Sequence, residues 1–105
     1  MTEKILSEVE TPLGFIVRFT QDYWRRIVEN KHPVMKSRQS FVKKTLQSPD
    51  EIRRSRRDPD VYLFYRKQAT NRWICAIAKK LNKTGLLITT YPTDAIKEGE
   101  VIWIK

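Results

Sequence analysis

The sequence predicts an α+β domain in which an N-terminal hairpin and two helices pack on a twisted antiparallel sheet of about four to five strands. Two observations favour this fold. Apolar residues follow the helical period of about 3.6 residues only between residues 21 and 47, and a period of two elsewhere. The turn-forming clusters DPD, QATN and NKTG separate the later strand-length segments, so consecutive strands are expected to pair antiparallel. The 105 residues are expected to form one domain, 1–105.

The first expected element is the hairpin. Apolar and polar residues alternate in the segment ILSEVE, and the segment TPLG then interrupts the alternation with the turn residues Pro12 and Gly14. The alternation resumes in FIVRFT, where Phe15, Val17 and Phe19 share one side. Two short strands joined by a turn are therefore expected before residue 20.

Two helices are expected next. Thr20 is a suitable N-cap for the first helix, QDYWRRIVEN, which Pro33 ends. The second begins at about Lys36 and ends at SPD, with Lys43 and Lys44 facing solvent. The residues expected to face the core are Tyr23, Trp24, Ile27, Val28, Phe41, Val42, Thr45 and Leu46.

The remaining strands are expected from residue 52 onward. The segments EIRRSRR, VYLFYRK, RWICAIAKKL and GLLITTYPT each have strand length, and VIWIK is a last strand. Residues 74 to 77 are all apolar, which predicts that this strand is covered on both faces for part of its length.

The charge is strongly basic and uneven. Lys and Arg number 21 against 12 Asp and Glu, giving a net charge of +9. Residues 31–57 hold nine basic and two acidic side chains, so 9 − 2 = +7 of that charge lies there. Such a concentration favours a polyanionic partner: nucleic acid first, then an anionic membrane or an acidic protein. A solvated surface that binds nothing explains the same excess.

Several classes of protein fit poorly. One Cys and one His exclude a disulfide framework and a zinc site built on these residues, so no metal or other cofactor is expected. No apolar segment reaches the roughly 18 residues of a membrane span. The N-terminus lacks the basic-then-apolar pattern of a signal peptide, which favours an intracellular, cytoplasmic protein without a membrane partner.

The segment IRRSRRDP contains the candidate phosphate-binding residues. In an extended strand Arg54 and Arg56 share one face with Ile52, and the intervening residues share the other. Several side chains from successive strands would line one cleft if the strands pair in a suitable register. Because the sequence does not fix the register of the strands, this cleft is a hypothesis. The residues of this hypothetical cleft are Arg54 or Ser55, Arg66, Lys79 and Thr90.

These residue types suit RNA cleavage without a metal ion. The reaction needs a base for the 2′-hydroxyl, cations for the charged phosphorane and an acid for the leaving oxygen. Arginine binds two phosphate oxygens at once, and lysine or tyrosine can transfer protons when their pKa values are shifted. His32 is the chain's one histidine, the side-chain type best suited to acid–base catalysis at neutral pH, although a histidine at a helix C-terminus is also typical of a stabilising cap. Tyr65 and Tyr91 are candidates for stacking on bases.

Nearly the whole chain resembles a family of nucleases. ETPLGFIVRFT, KHPVM, SPDEIRRSRRDPDVYLFYR, RWICAIAKKL and GLLITTYPTDAIKEGEVIW together resemble small bacterial and phage-associated proteins related to barnase, EndoU, colicin and RelE nucleases. The resemblance implies a RelE-like fold and a metal-independent ribonuclease of toxin or phage-effector type. It also implies a role for each matching residue: His32 as general base or acid, Arg54 and Arg66 as phosphate and transition-state binders, Ser55 and Thr90 as orienting hydroxyls, and Lys79 and Tyr91 as supporting groups.

Two functional hypotheses follow. The first is a metal-independent endoribonuclease acting on RNA, with His32, Arg54, Arg66, Lys79 and Thr90 as catalytic residues. The second is a non-catalytic basic module on the same fold that binds nucleic acid or an acidic, antitoxin-like protein. The residues predicted to bind nucleic acid are Arg53, Ser55, Arg56, Arg57, Tyr65, Tyr91, Lys43 and Lys44.

Overall fold

A computed structural model describes residues 5–96 and 98–105 as one seven-stranded sheet with helices packed against it. The strands are β1 (Ile5–Glu10), β2 (Ile16–Thr20), β3 (Glu51–Arg54), β4 (Val61–Ala69), β5 (Arg72–Leu81), β6 (Thr84–Thr93) and β7 (Glu100–Ile104). The helices are α1 (Gln21–Arg26), which a π-helical turn (Ile27–Lys31) continues, and α2 (Gln39–Gln47), with a 3-10 turn (Pro33–Met35) between them. The spatial order is β1-β2-β6-β5-β4-β3-β7.

The predicted fold class is wrong. Strands β3 to β6 do form the expected antiparallel meander. In the part of the chain that the structure describes, the sheet nevertheless has seven strands, it is mixed, and two short α-helices accompany it. The hairpin joins this sheet because Ile16–Arg18 of β2 pair in parallel with Thr84–Leu86 of β6. A separate two-stranded hairpin is only marginally stable in water, whereas pairing with β6 makes β2 part of a sheet whose apolar face the helices cover.

The N-terminal hairpin itself is confirmed. Strands β1 and β2 pair antiparallel, and the backbone N–H of Thr11 donates to the carbonyl of Phe15 over 3.0 Å. Gly14 takes a φ of +89°, which the turn requires and which glycine adopts without steric cost. On the side facing the helices, Val9, Val17 and Phe19 are buried.

The helical segment differs in detail from the expectation. Thr20 caps α1 as predicted, its hydroxyl accepting the backbone N–H of Tyr23 at 3.1 Å. Helix α2 begins at Gln39 and not near Lys36, because the 3-10 turn at Pro33–Met35 occupies the intervening chain. Phe41, expected in the core, lies in the first turn of α2 with 43 % of its surface exposed, so that prediction is wrong.

The two faces of the sheet have different coverings. The helices and the main core pack on one face, called here the helix face, where Ile52, Phe64 and Ile74 are fully buried. A smaller cluster of Leu63, Tyr65 and Cys75 lies on the other, called here the open face. Strand β5 is therefore apolar on both sides over residues 74–76, as the sequence predicted.

The chain between β6 and β7 crosses the open face. Strand β6 ends where Thr93 lies opposite Trp73, and β7 begins where Glu100 lies opposite Arg54, so residues 94–96 and 98–99 lie along a diagonal over β5, β4 and β3. Ile96 packs on the smaller cluster from above. We call this stretch the crossing segment. Within the described ranges, no helix has the length and apolar character needed to cross a membrane.

Candidate nucleic-acid interface

The arginines predicted to bind phosphate in one cleft lie apart. Arg54 is opposite Tyr62 on the helix face, and its guanidinium carbon is 5.6 Å from the centre of that ring. Arg66 also lies on the helix face but near the opposite end of β4, where it donates to the carbonyl of Ser48 over 2.6 Å. The two guanidinium groups are thus fixed at opposite ends of the strand.

The other two members of the predicted cleft also point elsewhere. Thr90 is fully buried, opposite Ala76, and its hydroxyl donates to the carbonyl of Cys75 over 2.8 Å. Lys79 lies on the open face, where its Nζ is 3.2 Å from Oδ2 of Asp58. Arg54, Arg66, Lys79 and Thr90 therefore do not form one cleft, and their catalytic roles stay predictions.

His32 and Tyr91 are brought together. Their ring centres lie 5.5 Å apart, at the part of β6 beyond its pairing with β2. Tyr91 lies opposite Cys75 in the sheet. Burial, reinforced by the neighbouring Cys75 thiol, raises the pKa of Tyr91 and of Tyr65 well above the ordinary value for a phenol. Both phenols remain protonated at neutral pH, so neither is a base there.

The residues predicted to bind nucleic acid differ in their exposure to solvent and in the partners that they already contact. Tyr65 is buried, so its ring is not available for stacking on a base. Arg53 is paired with Glu51, and Ser55 accepts the backbone N–H groups of Arg57 and Asp58 at 3.2 and 3.4 Å. Lys43 and Lys44 belong to α2, which packs on the helix face.

Arg56 and Arg57 remain exposed, and they border a cavity on the open face. The cavity has a volume of about 460 Å³. Ser55, Val61, Leu63, Ile77, Glu98 and Gly99 complete its lining. The crossing segment therefore forms one wall of this cavity, and the β3–β4 loop forms another.

A second cavity lies near the first, between the end of β2, helix α1 and strands β5 and β6. It has a volume of about 470 Å³, its basic side chains are Arg18, Arg26 and Lys79, and the rest of its lining is mainly apolar. Val61 of the first cavity lies directly opposite Lys79 of the second in the β4–β5 pair. We call the two together the basic groove; its five cationic side chains are Arg18, Arg26, Lys79, Arg56 and Arg57.

Two of these cations have carboxylate partners. Arg18 contacts Glu8 at 2.8 Å, and Lys79 contacts Asp58 at 3.2 Å. The side chains of both pairs are between 38 % and 47 % exposed, and exposed pairs of this kind contribute only about 0–1 kcal/mol. A polyanion can therefore displace the carboxylates at small cost. Within the described ranges, Arg26, Arg56 and Arg57 form no ion pair.

The groove also offers an apolar surface. Leu86 is 51 % exposed, on the face that Lys79 shares. Sugars and bases of a nucleic acid make apolar contacts with such a group.

Sequence reasoning missed part of the groove, namely Arg18, Arg26 and Leu86. Arg18 does alternate with the buried Val17 and Phe19, which shows that it faces away from them. Its proximity to Lys79 depends on the parallel β2–β6 pairing, which no local pattern reveals.

No group of three or more His, Cys, Asp or Glu side chains in residues 5–96 and 98–105 is arranged to hold a metal ion. The chain matches no protein-family model, and comparisons with the curated proteins and with the solved structures find no significant match. The functional argument therefore depends on the geometry of the open face.

Proposed function

We propose that the protein is a basic RNA-binding domain that holds a strand along the basic groove without cutting it. The observation that carries this proposal is the set of five cationic side chains that line two neighbouring cavities. This corresponds to the non-catalytic alternative that the sequence left open. It is favoured over cleavage because the predicted catalytic residues lie on both faces of the sheet: Arg54, Arg66 and Thr90 on the helix face and Lys79 on the open face.

The dimensions of the groove suit a short single strand. From β2 to β3 the groove crosses four strand spacings, a distance of about 19 Å at the usual separation. That length accommodates a few nucleotides, with phosphates on the cations and sugar or base surface on Leu86 and Ile77. Binding through phosphates is expected to depend on shape and charge more than on base sequence.

The test is the salt dependence of binding to a single-stranded oligoribonucleotide. Lys79→Gln and Arg57→Gln are each expected to weaken RNA binding. Each is also expected to make the negative slope of the logarithm of the binding constant against the logarithm of the salt concentration shallower by about 0.7. Lys44→Gln removes the same charge from α2, outside the groove, and is the matched control. Equal losses in all three variants would show that only net charge matters and would contradict the groove.

Metal-independent cleavage is the second candidate function, favoured by the contact between His32 and Tyr91. Its test is a gel assay of RNA with purified protein in excess EDTA, comparing the wild type with His32→Ala. RNA that is cut by the wild type and intact with the variant supports this candidate.

Partner and location complete the proposal. An acidic, antitoxin-like protein is the second partner class that the basic groove favours, and it is expected to compete with RNA for the same cations. A cytoplasmic location agrees with the single free, buried cysteine. Competition between RNA and such a protein is measured by isolating the complex of this chain with its acidic partner from the native host, adding RNA, and recording whether the partner is released.

A further inference from the structure

A third cavity lies at the far end of the sheet from the β3–β4 loop. It has a volume of about 480 Å³ and is open to solvent. Three cationic side chains and one indole line it: those of Arg66, Lys67, Lys105 and Trp73. The other lining residues are Asp50, Gln68, Ala69 and Thr70.

Backbone hydrogen bonds from three parts of the chain fix this cavity. The N–H of Asp50 donates to the carbonyl of Tyr65 over 2.8 Å, and the N–H of Lys105 donates to the carbonyl of Asp50 over 3.1 Å. The carboxylate of Asp50 accepts the N–H of Lys67 at 2.7 Å. The loop before β3, strand β4 and the end of β7 are thereby tied together around Asp50.

The charge of the cavity is positive. Among the described residues that line the cavity, Asp50 has the one acidic side chain, and its carboxylate already accepts a backbone N–H. Arg66 lines the cavity from the helix face, where its bond to the carbonyl of Ser48 holds it, and adds to the positive potential. Lys67 lines the cavity on the open face, directly opposite Trp73.

Trp73 supplies a rigid aromatic surface beside these cations. It lies opposite Lys67 on the open face and packs on the cluster of Tyr65 and Cys75, which restrains its ring. The partly exposed remainder of the ring lines the cavity. A flat apolar surface next to two or three cations matches one ligand chemistry in particular, a heterocyclic base joined to a phosphate.

We propose that this cavity binds a nucleoside phosphate, with the base stacked on Trp73 and the phosphate bound by Lys67, which lies directly opposite Trp73, and by Lys105. The site is separate from the basic groove: Trp73 and Lys79 are six residues apart on β5, about 20 Å along the strand. It does not require the groove to bind RNA. A free nucleotide and the phosphorylated end of an RNA strand both carry this chemistry.

The probe is AMP, followed by the NMR signals of the indole N–H groups in the intact protein. The Trp73 signal is expected to shift, and adenosine and inorganic phosphate are each expected to bind at least about fivefold more weakly than AMP. Equal affinity for adenosine would contradict a role for the cations. A shift at Trp24 or Trp103 with none at Trp73 would place the ligand elsewhere and overturn the site.

Variants separate stacking from charge. Trp73→Leu and Lys105→Gln are each expected to weaken AMP binding about tenfold. Lys105→Gln changes an exposed side chain, so it remains informative if Trp73→Leu fails to fold. Lys83→Gln, in the β5–β6 turn, is the matched control for loss of one charge. AMP affinity that is unchanged in Lys105→Gln, or lowered equally in Lys83→Gln, would overturn the proposal.

Two further arms identify the source of the ligand and its relation to the groove. A 5′-phosphorylated oligonucleotide that competes with AMP, when its 5′-hydroxyl counterpart does not, assigns the site to a strand end. If neither oligonucleotide competes with AMP, the site is assigned to a free nucleotide. Either assignment supports the binding of a nucleoside phosphate in this cavity. Lys79→Gln is expected to leave AMP affinity unchanged. The proposal of a nucleotide site and the proposal of RNA binding in the basic groove are therefore tested independently.

Discussion

The ring of His32 lies 5.5 Å from the ring of Tyr91, with the two planes inclined by 37°. The contact joins the end of the π-helical turn to the exposed edge of β6. The N–H of His32 also donates to the carbonyl of Ile27 over 2.8 Å, which closes that turn. His32 therefore has a structural position that is independent of any catalytic role.

Replacement of His32 tests which of these roles matters. His32→Ala is expected to lower the free energy of unfolding by about 1 kcal/mol, because it removes one pair of stacked rings. RNA binding is expected to be unchanged, because His32 lies outside the basic groove. Chemical denaturation and an RNA titration measure the two quantities. A large loss of RNA affinity in a folded variant would contradict the proposed location of the groove.

Gly99 and Gly14 provide a matched pair of backbone substitutions. Both have positive φ, +83° and +89°, so alanine is strained by about 1 kcal/mol at either position. A Cβ at Gly99 would in addition lie 2.7 Å from the carbonyl oxygen of Arg54, whereas a Cβ at Gly14 meets nothing within 4 Å. Gly99→Ala is therefore expected to destabilise the protein by about 3 kcal/mol, and Gly14→Ala by about 1 kcal/mol.

Chemical denaturation of the two glycine variants gives the comparison. Equal destabilisation of the two variants would show that the crossing segment shifts at residue 99 and so relieves the expected clash between the added Cβ and the carbonyl oxygen of Arg54 in β3. A larger loss at Gly99 is expected to be accompanied by weaker RNA binding, because Gly99 lines the basic groove and Gly14 does not.

Asp58 makes the stability of the protein depend on acid pH. The backbone N–H of Asp60, and then the ammonium group of Lys79, lower the pKa of Asp58 below its ordinary value of 3.8. A carboxylate whose pKa is lowered by folding stabilises the folded state above its unfolded pKa and loses that effect as the pH falls through the folded value. Asp58→Asn is expected to melt at a lower temperature than wild type near neutrality.

The same variant gives a defined pH profile. The difference in Tm between wild type and Asp58→Asn is expected to shrink as the pH falls below 3.8. Asp60→Asn, in the same loop, is the control for loss of one negative charge. A difference that does not change with pH would show that Asp58 stabilises the loop by shape alone.

Cys75 and its two tyrosine neighbours give a dependence on alkaline pH. Burial raises the pKa of Cys75 from 9.0 to about 12 and also raises the pKa values of Tyr65 and Tyr91. Stability from a raised pKa is complete below the unfolded value and is lost as the pH rises above it. Unfolding is therefore expected to become easier above about pH 9.

Thiol labelling checks the same environment at a single pH. Cys75 has no exposed surface, so a thiol reagent is expected to modify it near pH 8 only after denaturant unfolds the chain. Cys75→Ala is expected to remove part of the alkaline instability that the wild type shows. Rapid labelling of the native protein would show that the crossing segment opens over the cluster.

Local periodicity predicted the elements better than their arrangement. The alternation around Val17 and the turn at Gly14 were enough for the hairpin, and the four segments from β3 to β6 were correctly placed in an antiparallel meander. The parallel contact of Arg18 with Leu86 joins residues 68 positions apart, and neither local segment carries a signal for it. Each strand was therefore expected, but the hairpin was not expected to join the sheet, and the number of strands in that sheet was underestimated.

The candidate site was harder to predict because it depends on which face of the sheet the helices cover. Alternation placed Arg53 and Arg54 on opposite faces, as observed, yet it did not show that Arg54 lies on the helix face. Thr90 lies in a polar segment near the end of a strand, a position that favours exposure to solvent. In the structure it is fully buried on the helix face. The placement of Lys79 next to Val61 required the observed register.

The parallel pairing of β2 with β6 has a consequence for the order in which the protein folds during synthesis. The hairpin of residues 5–20 contains only local contacts and is complete early, but its neighbour in the sheet is made only when residues 84–86 have been synthesised. Pairings between segments so distant in sequence slow folding, because the intervening loop must close first. For most of translation the edge of β2 that will bind β6 is exposed, and a chain stopped before residue 84 keeps that edge available to other strands.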